Sequence, residues 1–353
     1  MTKNRISVRL ALAVFVICVL SPSILAADRT GILKPDEIAD GWILLFDGET
    51  TFGWKIDGEA KVQDGTLVLG GNKATKAQTT TRFPWRAGNA YAFSMEVKWG
   101  GKQPPKVWAP KGWTTLDETA ENKFLTIRWN NDGRTDKPEP VRPLAFEVPD
   151  GSLLFVRNVR FRPLGMTPLF NGKDLDGWKI FPNRKSVFSV TKKGELNIKN
   201  GPGDIQTVGQ WDNFLLQLQI RTNGKHLNSG VFFRCLPGQF WAGYEAQIRN
   251  QWQGDDRTKP VDFGTGGIYR RQPARKVVAN DNEWFTMTIL ADGNHLATWV
   301  NGYQVTDFVD TRPPNENARK GTKLGKGAIS FQGHDPTTDL SFRNIRIVEW
   351  PKK

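Results

Sequence analysis

Phe214, Leu216, Leu218 and Ile220 alternate with Leu215, Gln217, Gln219 and Arg221, and this two-residue period predicts a half-buried strand. Tyr91, Phe93, Met95 and Val97 alternate in the same way with Ala92, Ser94, Glu96 and Lys98. Tyr244, Ala246 and Ile248 alternate with Glu245, Gln247 and Arg249. Further strands are expected at Thr66–Leu69, Leu125–Trp129, Leu153–Phe161, Gly230–Arg234, Gly327–Gln332 and Leu340–Glu349. Asp292-Gly293 and Asn301-Gly302 suit the positive φ of tight turns, so Trp284–Leu290, His295–Val300 and Tyr303–Phe308 read as a β-meander. Long helical periodicities are absent. Gln103 to Trp113, rich in Pro and Trp, is expected to be a loop. Trp252–Gly267 and Thr311–Gly325 are expected to be long polar rim loops, where function often sits. The class implied is all-β, built as sandwiches.

A repeat divides the chain. Leu45-Phe46-Asp47-Gly48 with Gly53-Trp54-Lys55-Ile56 recurs as Leu169-Phe170-Asn171-Gly172 with Gly177-Trp178-Lys179-Ile180. Phe155-Val156-Arg157-Asn158-Val159-Arg160 is echoed by Ser341-Phe342-Arg343-Asn344-Ile345-Arg346. The starts lie 124 residues apart and the ends 186, so the second copy is longer by 62. Two related sandwiches in tandem are expected, a truncated one over 31–163 and a complete one over 165–353, with the boundary near Pro163–Pro168.

Residues 1–27 read as a signal peptide: Lys3, Arg5 and Arg9, an apolar run from Leu10 to Leu20, a break at Ser21-Pro22, and cleavage near Ala26 or Ala27. A retained anchor is the rival reading; Pro22 and the small residues before Asp28 favour cleavage. The mature protein is then expected in the periplasm or secreted, with no stable membrane insertion. Cleavage leaves Cys235 as the only cysteine, so no intramolecular disulfide can form. Cys235 reads as a buried filler. The formal charge of +13 falls to +10 without the signal; the basic residues are scattered and carry no nucleic-acid motif, so no nucleic-acid partner is expected.

Candidate chemistry centres on Gly243–Asn250. Its polar face sets Glu245, Gln247 and Arg249 in one row, which suits a polar ligand such as a sugar. LFNGKDLDGWK (169–179), NSGVFFR (228–234), GYEAQIRN (243–250), GTGGIYR (264–270), Asn282–Trp284, TWVNG (298–302) and FQGH followed by FRNIRI (331–347) occur in the order found in the 3-keto-disaccharide hydrolase family, which residues 165–350 resemble. The resemblance implies a concanavalin A-like jelly roll that cleaves glycosides already oxidised to a ketone at C3. It departs at Asn250, where similar proteins often carry Asp, and at Asp335, where Gly is usual.

Ordinary glycosidases need two carboxylates about one bond. Jelly-roll glucanases commonly place theirs as Glu-x-Asp-x-x-Glu; here that register reads Glu245-x-Gln247-x-x-Asn250, one acid and two amides. Asp255, Asp256 and Asp262 remain as loop carboxylates. A 3-keto sugar asks for less, because the ketone acidifies the hydrogen on C2. One base forms the enolate, a cation holds its oxygen, and an acid serves the leaving group. Glu245 and His334 are the expected proton-transfer pair, their roles left open, with Arg234 on the enolate oxygen. Gln247, Asn228 and Tyr269 are expected to hold hydroxyls, and Trp241 to offer an aromatic face. A divalent metal is left open as a substitute for part of the Arg234 role. The oxidation falls to a separate sugar oxidoreductase, since no GxGxxG follows a strand here. The competing reading is a lectin-like binding protein without catalysis, because fold does not decide function.

Overall fold

The computed structural model describes residues 32–83, 90–109, 112–131 and 141–349. The expected signal peptide and its cleavage site lie outside them. Among the described residues no helix is long and apolar enough to cross a membrane. The α-helix Pro35–Asp40 is a short cap ending at Gly41, whose φ of 90° closes its last turn.

Apart from a 3-10 turn at Glu118–Ala120, the remaining elements among the described residues are strands. One sandwich pairs a sheet ordered Ala60–Gln63, Thr66–Gly70, Ser152–Pro163, Tyr91–Gly101, Leu125–Asn131 with a five-stranded one ordered Trp54–Asp57, Thr75–Thr79, Ala145–Val148, Lys106–Ala109, Gly112–Thr115. The other pairs a larger sheet ordered Val187–Val190, Leu196–Lys199, Asp339–Glu349, Phe214–Thr222, Phe285–Asp292, His295–Val300, Tyr303–Val309 with a five-stranded one ordered Trp178–Ile180, Gly203–Thr207, Ala328–Gly333, Ser229–Cys235, Tyr244–Ile248. The expected loop from Gln103 to Trp113 instead holds strand Lys106–Ala109 and the start of its partner Gly112–Thr115. The loop expected at Trp252–Gly267 holds a small hairpin, Trp252–Gln253 with Asp256–Pro260.

The repeated motifs have physical jobs. Trp54 Nε1 donates to Leu45 O at 2.7 Å, and Trp178 Nε1 donates to Leu169 O at 2.8 Å, so each Gly-Trp ties the sandwich entrance to its first edge strand. The Arg-Asn pairs sit at β-bulges. Asn158 and Asn344 take φ of 52° and 51° there. Arg157 and Asn158 donate to Glu96, Arg343 and Asn344 to Gln219, on the neighbouring strand.

Tyr91, Phe93, Met95 and Val97 all face the first core, as their alternation predicts. Phe214–Thr222 departs from its half-buried expectation: every residue except Arg221 is buried. Its second face meets the first sandwich. Leu215, Leu290, Ala297 and Trp299 belong to the same apolar cluster as Leu45, Phe46 and Phe161. Across this junction Trp299 Nε1 donates to Leu44 O at 2.9 Å, Gln217 Nε2 to Gly41 O at 2.8 Å, and Arg275 pairs with Asp47 at 2.6 Å. The larger sheet is therefore covered on both sides, which leaves the outer face of the five-stranded sheet for a ligand.

Candidate functional site

Strand Tyr244–Ile248 forms the edge of that sheet, with Glu245 opposite Phe232 and Gln247 opposite Gly230. Gly230 makes room: a Cβ there would lie 2.5 Å from Glu245 Oε1. The outer face bounds a cavity of about 320 Å³, within the size range of small-molecule sites. Glu245, Gln247, Asn228, Trp241, Tyr269 and His334, all expected from the sequence, line it together. Arg319, Arg270 and Gln332 line it as well.

Glu245 is only 5% exposed. Burial pushes its carboxyl up to about 7; the Arg319 guanidinium offsets part of that rise, and Asp262 and Asp204 add to it. Arg319 Nη2 donates to Glu245 Oε2 at 2.7 Å, and its guanidinium lies over the rings of Phe232 and Tyr269 at 5.0 and 5.4 Å. The Arg319 carbonyl is held by Arg271 Nη2 at 2.8 Å, and Arg312 binds Asp310 through Nε and Nη2.

The amides are oriented by an acceptor-only group. Gln247 Nε2 donates to Asp262 Oδ2 and Asp262 O at 2.8 and 2.9 Å, and Asn228 Nδ2 donates to Asp262 Oδ2 at 3.1 Å. Gln247 Oε1 is left buried without a partner, and so is Gln332 Oε1. Two buried acceptors beside a cavity call for O–H or N–H donors.

His334 Nδ1 lies 2.9 Å from Asp335 Oδ2, and Nε2 lies 3.3 Å from Asn228 Nδ2. Burial opposes ionisation of Asp335, but hydrogen bonds from Thr337 and His334 win and hold its carboxyl below the usual range. A carboxylate at Nδ1 and an amide donor at Nε2 together put the ring proton on Nδ1 and a lone pair on Nε2. The departure at Asp335 thus orients the imidazole. Trp241 stacks on Phe240 at 4.5 Å and runs parallel to His334 at 6.2 Å between centroids. Asp204 anchors it from below, accepting from Trp241 Nε1 at 3.1 Å, and burial pushes the Asp204 carboxyl up to about 7.

Arg234 is a correction. Its side chain is fully buried away from the cavity, and its donors meet Asp212 O at 2.6 Å, Gly293 O and Lys323 O at 2.7 Å, and Asn213 Oδ1 at 3.2 Å. The register slips between Phe232 and Cys235, and Arg234 takes φ of 50°, so alternation from Phe232 misplaces it. Arg249 also leaves the expected row, donating to His226 O. Asn250 is a brace: it accepts from Thr265 Oγ1 at 2.5 Å and donates to Asn280 O at 3.2 Å. Cys235 is buried and free, as expected.

Sequence reasoning overlooked Arg319, for which only the flag on loop Thr311–Gly325 pointed the right way. Gln332 had a signal, since it precedes His334 by one strand period. Among the described residues no three His, Cys, Asp or Glu side chains gather closely enough to hold a metal.

Residues 165–348 match the family described as the 3-keto-alpha-glucoside-1,2-lyase-like domain. No curated protein matches the chain. Two Parabacteroides distasonis proteins named as candidate glycosyl hydrolases resemble it in structure. One has 24% identity over 53% of this chain and 94% of its own, with TM-score 0.43. The other has 28% identity over 52% of this chain and 99% of its own, with TM-score 0.42. A carbohydrate-binding module from Bacillus subtilis has 15% identity over 53% and 98%, with TM-score 0.37.

Proposed function

The chain belongs to the 3-keto-alpha-glucoside-1,2-lyase-like family, a carbohydrate-active family, and we propose that its cavity cleaves glycosides carrying a ketone at C3. The observation that carries this reading is the meeting of Glu245, His334 and Arg319 at one cavity. One carboxyl of raised pKa, one imidazole whose Nε2 lone pair is met only by the Asn228 amide among the described residues, and one guanidinium are the set that elimination needs.

His334 Nε2 takes the proton from C2, and the C–H electron pair becomes the C2=C3 bond of an enolate with its charge on the C3 oxygen. Arg319, in the role first expected of Arg234, stabilises that oxygen. The enolate re-forms the ketone, C1=C2 forms, and the C1–O bond breaks as Glu245 protonates the departing oxygen. Water then adds across C1=C2, its oxygen to C1 and a proton to C2, so the net reaction is hydrolysis. Gln247 Oε1 and Gln332 Oε1 accept from sugar hydroxyls, Asn228 and Tyr269 position them, and Trp241 covers a ring face. Among the described residues that line the cavity Glu245 is the one carboxyl, where an ordinary glycosidase needs two. We place the protein outside the cytoplasm, after a separate oxidoreductase that makes the ketone.

The test is incubation with a 3-keto-glucoside beside the unoxidised glucoside, with Glu245→Gln alongside. Turnover of the keto form alone, lost in the variant while the fold persists, supports the reading. Turnover of the plain glycoside, or affinity without turnover, overturns it.

A further inference from the structure

The two five-stranded sheets share strand order and register, anchored by Trp54 opposite Thr79 and Trp178 opposite Thr207. In the second sandwich Asp204 lies opposite Gln332 and Gly230 opposite Gln247. The equivalent row in the first is Lys76, Glu147, Lys106 and Thr115, each opposite the next. Lys76 therefore stands in the place of Asp204, Glu147 in that of Gln332, Lys106 in that of Gly230, and Thr115 in that of Gln247. Trp113 holds the register position of Glu245, and Pro149 follows Glu147 as His334 follows Gln332.

Every proton-transfer group of the second site is thus replaced, yet the same face still bounds a cavity, of about 590 Å³. Pro104 and Pro149 contribute apolar walls, while Lys76, Lys106, Glu147 and Gln103 carry its polar side. Lys76 pairs with Glu147 at 3.5 Å. Lys106 is exposed and has no carboxylate partner among the described residues. The row holds two cations to one anion, and the glycine that admits Glu245 in the second sandwich has become a lysine.

We infer that this cleft is a second, non-catalytic saccharide site that takes an acidic glycan, with Lys106 and Lys76 meeting a uronate carboxylate. The saccharide class rests on the reading of the second cavity; the preference for an anion rests on the lysine row alone. An ammonium–carboxylate hydrogen bond is charge-assisted, and in an exposed cleft it is weakened by salt. Such a site tethers the enzyme to an acidic polymer without acting on it.

The experiment is calorimetric titration of the full mature chain with tetragalacturonate and with maltotetraose, repeated on Lys76→Glu/Lys106→Glu and on Lys106→Ala. The acidic tetramer is expected to bind about tenfold more tightly than the neutral one, with that advantage lost in the double variant and reduced in the single one. Circular dichroism and turnover of a 3-keto-glucoside should stay unchanged in both variants. Equal affinity for the two tetramers, no acidic binding, or acidic binding that survives charge reversal overturns the inference. Titration of Glu245→Gln should match the unaltered chain, so absence of turnover sinks the function proposed above while lysine-dependent binding stands apart from it.

Discussion

Arg319 Nη2 donates to Glu245 Oε2 at 2.7 Å across 74 residues of sequence. The neighbouring Tyr244, facing the opposite way, holds that distance in place. Its hydroxyl donates to Asp310 Oδ2 at 2.7 Å and accepts from Lys323 N at 3.0 Å. One strand therefore presents the carboxyl on one face and, on the other, fastens both ends of the loop that delivers its cation.

Replacing Arg319 with Gln removes the only ion-pair partner that Glu245 has among the described residues. The Glu245 carboxyl, already at about 7, should rise further, because the guanidinium is what offsets part of its burial. With Glu245 as proton donor, activity of the unaltered enzyme falls as pH rises through about 7, and in the variant that limb moves upward. Loss of the enolate donor should also lower kcat by roughly 10²-fold. A pH profile of kcat/KM on a 3-keto-glucoside reads both effects; an unmoved limb would sink the assignment.

Asp335→Asn should scramble the His334 tautomer, because an amide can donate as well as accept at Nδ1. A kcat at least tenfold lower with little change in KM is expected, of the order of general-base contributions. Steady-state kinetics separates the two quantities. An equal fall in affinity would instead mean that Asp335 shapes binding.

Burial raises both Asp204 and Glu245 to about 7. The folded state therefore holds these protons more tightly than the unfolded chain does. Their contribution to stability is fully present below the ordinary carboxyl range and is lost as pH rises to about 7. Each tenfold gain in proton affinity on folding is worth about 1.4 kcal/mol. Urea melts should show a smaller drop in stability between pH 5 and pH 8 for Asp204→Asn than for the unaltered protein. An identical drop would show that Asp204 is not among the responsible groups.

Arg234→Met should separate stability from catalysis. Burial lowers the Arg234 guanidinium to about 10, and its contacts are carbonyls and one amide, so removing it strands several acceptors. A loss of about 3–5 kcal/mol in denaturant melts is expected. Turnover per folded molecule should hold. Selective loss of activity in a stable variant would return Arg234 to the chemistry.

Local alternation determined a great deal by itself: the all-β class, the strand bearing Glu245 and Gln247, the meander, and the repeat whose Trp and Arg-Asn motifs prove to be a tether and a bulge clamp. It also put Glu245 and Gln247 on one face of one strand, because residues two apart share a face; Asn228, Trp241, Tyr269 and His334 line the same cavity from outside the strands. Arg234 and Arg319 were beyond its reach. A β-bulge breaks the period between Phe232 and Cys235 and turns Arg234 away, while Arg319 reaches Glu245 from a loop with no period at all. Only the tertiary structure decided which guanidinium meets the carboxyl, since that depends on where Tyr244, Asp310 and Arg312 dock the loop. The burial that raises Glu245 is likewise a property of packed neighbours, and no pattern of adjacent residues encodes it.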